Sequence, residues 1–560
     1  MRRPALWRAI VILAAAVAVG IAAFGSLDRN ESAPKPLRSE NTIRLEYAYS
    51  TNQEDLLEPL IGKFNAEAHE SNGRQIVIAG EGISSGEAEA AIAAGELRAT
   101  LWSPASSLWG RLLNFEVDGG WVADENPALV QTPLVIAMWK PAAEALGWPR
   151  KPIGFAKILE LATSRAGWAR YGLPEFGAFK LGHTNPDFST SGLSFVAAQY
   201  YNATGKLEGL AVEDVEREAV RRQVREIEQS IVHYGDTSSF FVDQMQERGP
   251  GYVSAVAMEE VTLLDYNETR PAGSLPLVAV YPAEGTFYFD NPLITVAAPW
   301  VDDAHAQAAE LFKAWLLPRM TPELAARYGY RPRDRTALAR APIDRAHFVD
   351  PRQPRRVLAL PEPRVLATVK RVWHEDRKPA NVEIVVDVSG SMQDEEKLLQ
   401  AIRGLKTFLG EFSPRDRVGL VTFDERVHPI VPLRPMRENN AALTSAVSNL
   451  VADGNTAVYD ATAYGVQSIA GLNDTTKINA VVVLTDGEDN RSRLDAGALI
   501  DMLRRGSEDE ESRIRVFTIA YGQNANRDVL NAISTASGGL EFEGDPDEIA
   551  AVYTQISSYF

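Results

Sequence analysis

The stretch Asn381–Met392, NVEIVVDVSGSM, changes within a few residues from almost continuous apolar side chains to short oxygen-bearing ones. An apolar run without polar alternation, such as Val382–Val386, is typical of a strand that is buried on both faces of a parallel sheet. Similar runs recur at Val418–Phe423 and Ala480–Leu484, and helical patterns separate them. This alternation predicts a doubly wound α/β domain over residues 381–560.

Ligands of such sheets bind beyond the carboxyl ends of the strands, and here those ends carry oxygen donors. The donors come from three loops: Asp387, Ser389, Ser391, Thr456 and Asp486. Mg²⁺ prefers near-octahedral oxygen coordination, which hydroxyls and carboxylates share with water. The set predicts a site for Mg²⁺ or Mn²⁺ that leaves one position open for an outside carboxylate. The alternative is that these residues only cap the helices that follow them.

The order and spacing of these residues resemble a known motif. The pattern D-x-S-x-S after an apolar strand, a Thr about 65 residues later and an Asp about 30 further on is similar to the metal-ion-dependent adhesion site of von Willebrand factor type A domains. The strings DGNTAVYDA (453–461) and LTDGEDN (484–490) resemble those of bacterial members. The resemblance covers about 180 residues. It implies the family's Rossmann-like fold and Mg²⁺-dependent recognition of an acidic residue on a partner protein.

Residues 42–340 alternate strand-like and helical runs, which predicts a parallel α/β sheet, and their number favours two lobes. Four hydroxyl-rich loops lie close to strand or helix ends: Tyr49–Asn52, Gly82–Gly86, Ser103–Ser107 and Asn185–Gly192. Helix N-termini with free N–H groups suit anions and other small polar ligands. These loops are therefore candidate binding sites for a small polar solute.

The stretch SSGEAEAAIAAGELRATLWS (84–103) and the string TNPDFSTSG (184–192) resemble type II periplasmic solute-binding proteins, in particular the molybdate-binding-like branch. The resemblance covers roughly residues 42–335. By analogy, an interlobe cleft would be lined by Ser50, Ser84 and Ser103 from one lobe and by Asp187 and Ser191 from the other. Glu259 or Glu260 would face this cleft, and an acidic side chain there disfavours an oxyanion. The alternative is a scaffold that has lost its ligand.

The N-terminal residues have the pattern of a membrane segment. Arg2, Arg3 and Arg8 precede the uncharged run Ala9–Phe24. This predicts an uncleaved transmembrane anchor within residues 1–27, with a cleaved secretory signal as the alternative. Because the arginines lie on one side only, the positive-inside rule places the body outside the cytoplasm, after a flexible stalk at 28–41.

Residues 341–380 are predicted to form a basic, proline-containing linker. The stretch 331–380 has 13 basic and 6 acidic residues, whereas residues 381–560 have 16 basic and 28 acidic ones. Within the linker, Val365–Trp373 is expected to form an edge strand that leads into the next domain.

Composition and motifs argue against several classes of protein. The net charge of −18 argues against nucleic-acid binding, which needs a basic face. The sequence has no cysteine, so thiolate metal sites, Cys nucleophiles and disulfides are excluded. It also lacks Walker, G-x-G-x-x-G and H-E-x-x-H motifs. Gly82–Gly86 fits the G-x-S-x-G elbow of serine hydrolases, but neither His183 nor His233 lies in a recognisable motif.

These observations predict a non-enzymatic, membrane-tethered binding scaffold on the extracytoplasmic side. It would join a solute-binding-like module to a module that engages a protein partner through a Mg²⁺-dependent adhesion site. The alternative is a solute receptor of a transport system whose second module recruits a permease or another partner. A cytoplasmic accessory subunit of a chelatase or ATPase complex is a third hypothesis, against which the N-terminal segment argues.

Overall fold

A computed structural model describes residues 42–506, 512–522, 524–546 and 549–560. Residues Ile43–Phe560 form one compact unit. The predicted anchor and stalk lie outside the described residues. Among the residues that are described, no helix is both long and apolar enough to cross a membrane.

The first module contains ten strands in two sheets. They are β1 (Thr42–Tyr49), β2 (Glu70–Ser71), β3 (Arg74–Gly82), β4 (Leu101–Ser103), β5 (Thr132–Trp139), β6 (Leu181–His183), β7 (Ala255–Glu259), β8 (Leu277–Val280), β9 (Tyr288–Phe289) and β10 (Ile294–Thr295). The first lobe has the order β10-β4-β1-β3-β2, and the second has β6-β7-β5-β8, with β9 paired to β5. The prediction of a parallel sheet is wrong for both lobes, because both sheets are mixed. In the first sheet β10 pairs antiparallel with β4 and β2 with β3, and in the second β5 pairs antiparallel with both β7 and β8.

Helices cover these two sheets, and the apolar faces of both elements make the core. The helices of the first module are Glu54–Ala66, Ser85–Ala94, Leu108–Glu116, Lys140–Leu146, Phe155–Ala162, Thr190–Thr204, Val212–Glu216, Glu218–Glu228, Ser238–Arg248, Glu260–Thr269, Asp303–Leu316 and Pro322–Arg327. In the first lobe, Tyr47 of β1 packs with Phe64 and Phe312 of two of these helices. Burial of such large aromatic side chains stabilises this lobe.

The second module is built on one six-stranded sheet. Its strands are β11 (Ala380–Asp387), β12 (Arg417–Phe423), β13 (Val427–Pro435), β14 (Ile478–Thr485), β15 (Ile514–Tyr521) and β16 (Glu541–Gly544), in the order β13-β12-β11-β14-β15-β16. All neighbours are parallel except β12 and β13. Ile384 and Val385 of β11 enter different apolar clusters, as expected for a strand covered on both faces. The doubly wound architecture is thus present, with an antiparallel edge strand.

In the described part of this module, six helices lie on the two faces of the sheet: Lys397–Gly410, Met436–Ser448, Val458–Ala470, Ala496–Gly506, Arg527–Ser537 and Ile549–Ser557. Because parallel strands all end at the same edge, the loops after β11 and β14 meet there. Val386 is paired with Leu484, so Asp387 and Thr485 end neighbouring strands at the same level.

The predicted edge strand at Val365–Trp373 is wrong, because this segment lies in the helix Pro363–Asp376. Its buried side chains recur at helical spacing: Val365, Leu366, Val369, Val372 and Trp373. Pro363 stands in the first turn, where its missing N–H costs nothing. We call this helix the bridging helix, because it packs on helices of both lobes and leads directly into β11.

Charged and aromatic contacts fix the bridging helix to the second lobe. Asp376 accepts hydrogen bonds from Arg221 (2.7 and 2.8 Å) and Arg225 (3.0 Å). The Trp373 indole donates to Glu228 at 3.2 Å. The second module is attached to the same lobe at its other end, where the Tyr559 carbonyl accepts from the Tyr234 N–H at 3.2 Å. These contacts make one body of the two modules.

Candidate metal centre and interlobe cleft

Three loops of the second module meet at the carboxyl end of its sheet. Asp387 is the last residue of β11, and the 3₁₀ turn Gly390–Glu396 follows it. The Gly390 N–H donates to the Gly454 carbonyl at 3.0 Å, and the Asp453 N–H donates to the Val388 carbonyl at 2.8 Å. The loop that carries Thr456 is therefore held against the D-x-S-x-S loop by backbone hydrogen bonds.

The side chains of the predicted metal site are neighbours. The hydroxyls of Ser389 and Ser391 are 3.1 Å apart, and Ser391 Oγ donates to Asp486 Oδ1 at 2.7 Å. A Cβ placed on Gly487 would lie 3.6 Å from Thr456 Oγ1 and 3.9 Å from Ser391 Oγ, so these two hydroxyls face the same glycine. The structure thus brings all five predicted residues together.

Asp387 is fully buried and firmly positioned. Its Oδ1 accepts from the Ser389 N–H at 2.8 Å, and its Oδ2 accepts from Thr485 Oγ1 at 2.6 Å. Burial raises the pKa of Asp387 to about 6, because a low-dielectric surrounding disfavours the charged form, while these hydrogen bonds act in the opposite direction. A divalent cation beside the carboxylate would favour its ionised form.

The chemistry of the donors fits Mg²⁺ or Mn²⁺. Three hydroxyls and two carboxylates supply only oxygen, which is the ligand type that these hard cations take. Within the described ranges, no group of three or more Asp, Glu, His or Cys side chains is arranged to hold a metal ion. The centre therefore depends on neutral hydroxyls, which suits an ion that keeps several water ligands.

The predicted cleft residues of the first lobe are close to one another but already bonded. The Ser50 N–H donates to the Ser103 carbonyl at 2.9 Å. The Ser103 hydroxyl is buried and lies 2.9 Å from the Tyr47 hydroxyl. Ser84 stands at the start of the helix Ser85–Ala94, and its Oγ donates to Glu87 Oε2 at 3.2 Å.

The two predicted residues of the second lobe have different surroundings. Ser191 is fully buried, and its Oγ lies 3.0 to 3.1 Å from the hydroxyls of Thr184, Ser189 and Ser238. The carboxylate of Asp187 is bonded to the bridging helix, at 2.7 Å from His374 Nε2 and 3.4 Å from Lys370 Nζ. Its charge is therefore compensated within the protein.

Both candidate acidic residues of the cleft are buried. Glu260 forms a two-pronged ion pair with Arg331, in which each N–O distance is 2.7 Å. Glu259 accepts a hydrogen bond from Ser238 Oγ at 2.9 Å, which joins it to the hydroxyl cluster around Ser191. Burial raises the pKa of Glu259, and hydrogen bonds from its neighbours only partly offset this shift.

The lobes touch at the start of the helix Ser85–Ala94. The Gly86 N–H donates to the Phe188 carbonyl at 2.8 Å, and the Trp109 indole donates to Thr190 Oγ1 at 2.7 Å. A Cβ on Gly86 would lie 2.0 Å from the Asp187 carbonyl oxygen and 2.7 Å from the Trp109 ring. Only glycine permits this approach of the two lobes.

Gly86→Ala is therefore expected to force the lobes apart at this point. The added methyl group meets a backbone oxygen, so we expect a loss of about 2–3 kcal/mol in the free energy of unfolding, at the upper end for overpacking. Chemical denaturation measures it. Gly62→Ala is the matched control: it has open space around its Cβ and lies in the helix Glu54–Ala66, so it should gain up to about 1 kcal/mol. Equal stabilities of the two variants would contradict the contact.

Acid should weaken the attachment of Asp187 to the bridging helix. Burial raises the pKa of Asp187, but the hydrogen bond and charge of His374, with Lys370, lower it below its usual range. A lowered carboxylate pKa stabilises the fold above the unfolded value of about 3.9 and ceases to do so as the pH falls through the folded value. We expect the melting temperature of the wild type to exceed that of Asp187→Asn near pH 7, and the gap to close below about pH 4. A gap independent of pH would contradict this.

A family model of bacterial extracellular solute-binding proteins matches residues 45–331, more than half of the chain. The chain belongs to this family. A second family model, of the von Willebrand factor type A domain, matches residues 381–550. The first module is thus a solute-binding module, and the second is a type A domain.

Curated proteins are similar to this chain over about a third of its length. An uncharacterized protein of Synechocystis sp. is 31% identical over 197 residues, which cover 34% of this chain and 44% of that protein. The calcium-activated chloride channel regulator 3A-1 of Mus musculus is 30% identical over 180 residues, covering 31% of this chain and 19% of the regulator. The chain therefore spans less than half the length of these relatives. Among solved structures, a periplasmic thiamin binding protein is similar at 12% identity and a TM-score of 0.43, over 61% of this chain and 98% of that one.

Sequence reasoning missed several residues that support the two sites. In the type A domain, Thr485 orients Asp387, and the Lys397 ammonium lies 2.8 Å from Asp486 Oδ2. In the solute-binding module, His374 and Lys370 hold Asp187 from a helix that was expected to be a linker and a strand. The helical spacing of Val365–Trp373 was the available signal for that helix. For Lys397 the signal was its position at a helix start, where a cation is unfavourable.

Proposed function

We propose that this chain is a membrane-tethered, extracytoplasmic binding scaffold without enzymatic activity. Its type A domain would engage a protein partner in a Mg²⁺-dependent or Mn²⁺-dependent manner, and its solute-binding module would take a small polar solute. One observation carries the proposal: Asp387, Ser389, Ser391, Thr456 and Asp486 converge at one edge of the type A sheet. The tether rests on the uncharged run Ala9–Phe24 and the arginines that precede it.

In this proposal each residue of the metal centre has a defined task. The hydroxyls of Ser389, Ser391 and Thr456 would hold the ion directly, and Asp387 and Asp486 would do so directly or through water. The bound ion would supply a positive centre with one coordination position for a carboxylate of the partner. Because the hydroxyls are neutral, they leave most of the ion's charge available to that carboxylate. The Thr485 hydroxyl and the Ser389 N–H keep the Asp387 carboxylate in place.

The solute-binding module supports two competing proposals. The hydroxyl cluster around Ser191, with Glu259 beside it, is suited to a polar solute that both donates and accepts hydrogen bonds. A module that has lost its ligand is favoured by a different observation. The carboxylate of Asp187 and the hydroxyl of Ser103 are already bonded within the protein.

A solute receptor that signals through its type A domain is the second candidate function. It is supported by the bridging helix, which contacts helices of both lobes and continues into β11. Asp387 lies at the far end of that strand. A change in the distance between the lobes would therefore act on the element that carries the metal centre, and a permease or another partner would be recruited there.

The test of the proposal is a Mg²⁺ titration of the full chain after removal of metal ions by a chelator. We expect isothermal titration calorimetry to find one ion per chain, and Mn²⁺ to compete for the same site. Binding of either ion should raise the melting temperature. At an ion concentration of 100 times the Kd, the free energy of unfolding should increase by about 2.7 kcal/mol. Absence of saturable binding of both ions would reject the metal-dependent function and leave the five residues as helix caps.

A further inference from the structure

The helix Lys397–Gly410 begins with a buried lysine beside the metal centre. The Lys397 Nζ is 2.8 Å from Asp486 Oδ2, and the two side chains are 4% and 0% exposed. A cation at a helix N-terminus opposes the helix dipole, and burial of an ammonium costs further free energy. A lysine in this place therefore needs a compensating role.

The two carboxylate oxygens of Asp486 have different hydrogen-bond partners. Oδ2 accepts from Lys397, whereas Oδ1 accepts from the Ser391 hydroxyl at 2.7 Å. The lysine is itself held, because the Tyr521 hydroxyl donates to its carbonyl oxygen at 2.9 Å. Its stem runs past Gly522, where a Cβ would lie 3.3 Å from Lys397 Cε. Oδ1 of Asp486 is therefore turned toward the hydroxyls of the centre.

The charges at the centre do not cancel. Asp387 and Asp486 contribute two negative charges when ionised, and Lys397 contributes one positive charge. A divalent cation bound there leaves the group with a net positive charge of one, whereas without Lys397 the same group would be neutral. A carboxylate of a partner is attracted strongly by the positively charged group and much less by the neutral one.

We propose that Lys397 is a built-in counter-cation of the metal centre, which positions Asp486 and keeps the bound ion attractive to an acidic partner. This inference rests on the proposed function, since it requires that the centre binds a divalent cation. Lys397 lowers the affinity for the ion by like-charge repulsion. In exchange, its ion pair holds the Asp486 carboxylate in place before the ion binds.

The test compares Mg²⁺ affinity among variants of the full chain by calorimetry. Lys397→Met removes the charge, and Lys397→Gln removes it while it retains a hydrogen-bond donor for Asp486. Both should bind Mg²⁺ at least about tenfold more tightly than the wild type, because a like charge has gone. Without Mg²⁺ both should melt at a lower temperature than the wild type, and saturating Mg²⁺ should close this gap. Lys406→Met, on the exposed face of the same helix, is the matched control and should change neither property.

The outcomes separate this inference from the function on which it rests. A wild type that binds no Mg²⁺ would reject the proposed function itself. A wild type that binds Mg²⁺, together with charge-removed variants that bind it equally or more weakly, would overturn the role of Lys397 alone and leave it as a structural ion pair. Variants that fold only when Mg²⁺ is present would support the counter-cation role.

Discussion

Asp387→Ala is expected to lower the affinity of the chain for Mg²⁺ by at least about a hundredfold, to below detection by calorimetry. The carboxylate supplies one of two negative charges at the centre, and charge is the main attraction for a hard divalent cation. Its removal also frees the Ser389 N–H and the Thr485 hydroxyl, which are now held by the two carboxylate oxygens. Any partner that binds through the metal ion should be lost with it, and chelation of the wild type should have the same effect.

Two further variants make this experiment specific. Asp387→Asn keeps the size of the side chain and should still lose most of the affinity, so a packing defect in Asp387→Ala would not explain the result. Asp394→Asn removes an exposed carboxylate from the same loop and should bind Mg²⁺ as the wild type does. If Asp387→Ala retained the wild-type affinity for Mg²⁺, the centre would not be a metal site.

The proximity of the five metal-centre residues followed from the sequence for a physical reason. Parallel strands end at one edge, and β11 and β14 are paired, so the residues that follow these two strands are neighbours. Thr456 lies in a loop between two helices, and backbone hydrogen bonds to the D-x-S-x-S loop hold it there. The same reasoning does not predict the contact between Lys397 and Asp486. Its ammonium meets Asp486 only because the helix after the D-x-S-x-S loop starts at the centre. Its position at a helix start marks this lysine as unusual but does not show which residue it contacts.

The cleft residues were harder to predict, because their surroundings come from distant parts of the chain. Asp187 was expected to face a solute, but its carboxylate is bonded to His374, which lies far along the sequence. Prolines and basic charges near residues 341–380 are typical of a linker, although the apolar residues of the bridging helix recur at helical spacing. Ser50 and Ser103 do meet, because β1 and β4 are paired parallel in the first lobe.

The sequence pattern also did not predict whether neighbouring strands run parallel or antiparallel. The apolar run of β5 has the appearance of a parallel strand, yet it is antiparallel to both of its neighbours. An apolar run shows that a strand is buried and does not show which way its partners run. The polar, helical pattern that begins at Val212 forms two short helices, Val212–Glu216 and Glu218–Glu228, because the backbone of Arg217 between them is extended.

Trp373→Ala is expected to destabilise the compact unit by about 3–5 kcal/mol. The indole is 1% exposed and stacks edge-on with Tyr234 at 5.1 Å between ring centres, so truncation leaves a large cavity. It also removes one hydrogen bond from Glu228, which is wholly buried and receives others from Tyr234 and Gln199. Because the bridging helix joins the solute-binding module to β11, the attachment of the type A domain should weaken with it. Chemical denaturation of the full chain measures the loss.

A graded series of variants separates the cavity from the hydrogen bond. Trp373→Phe keeps an aromatic ring of smaller volume and loses the indole N–H, so it should cost less than the truncation, about 1–2 kcal/mol. Arg364→Ala, at an exposed position of the same helix, should change the stability by less than about 0.5 kcal/mol. If the bridging helix is the mechanical link between the modules, limited proteolysis of Trp373→Ala should cleave near residue 376 and release an intact type A domain. Cleavage distributed evenly over both modules would instead show that the helix stabilises the fold without coupling its parts.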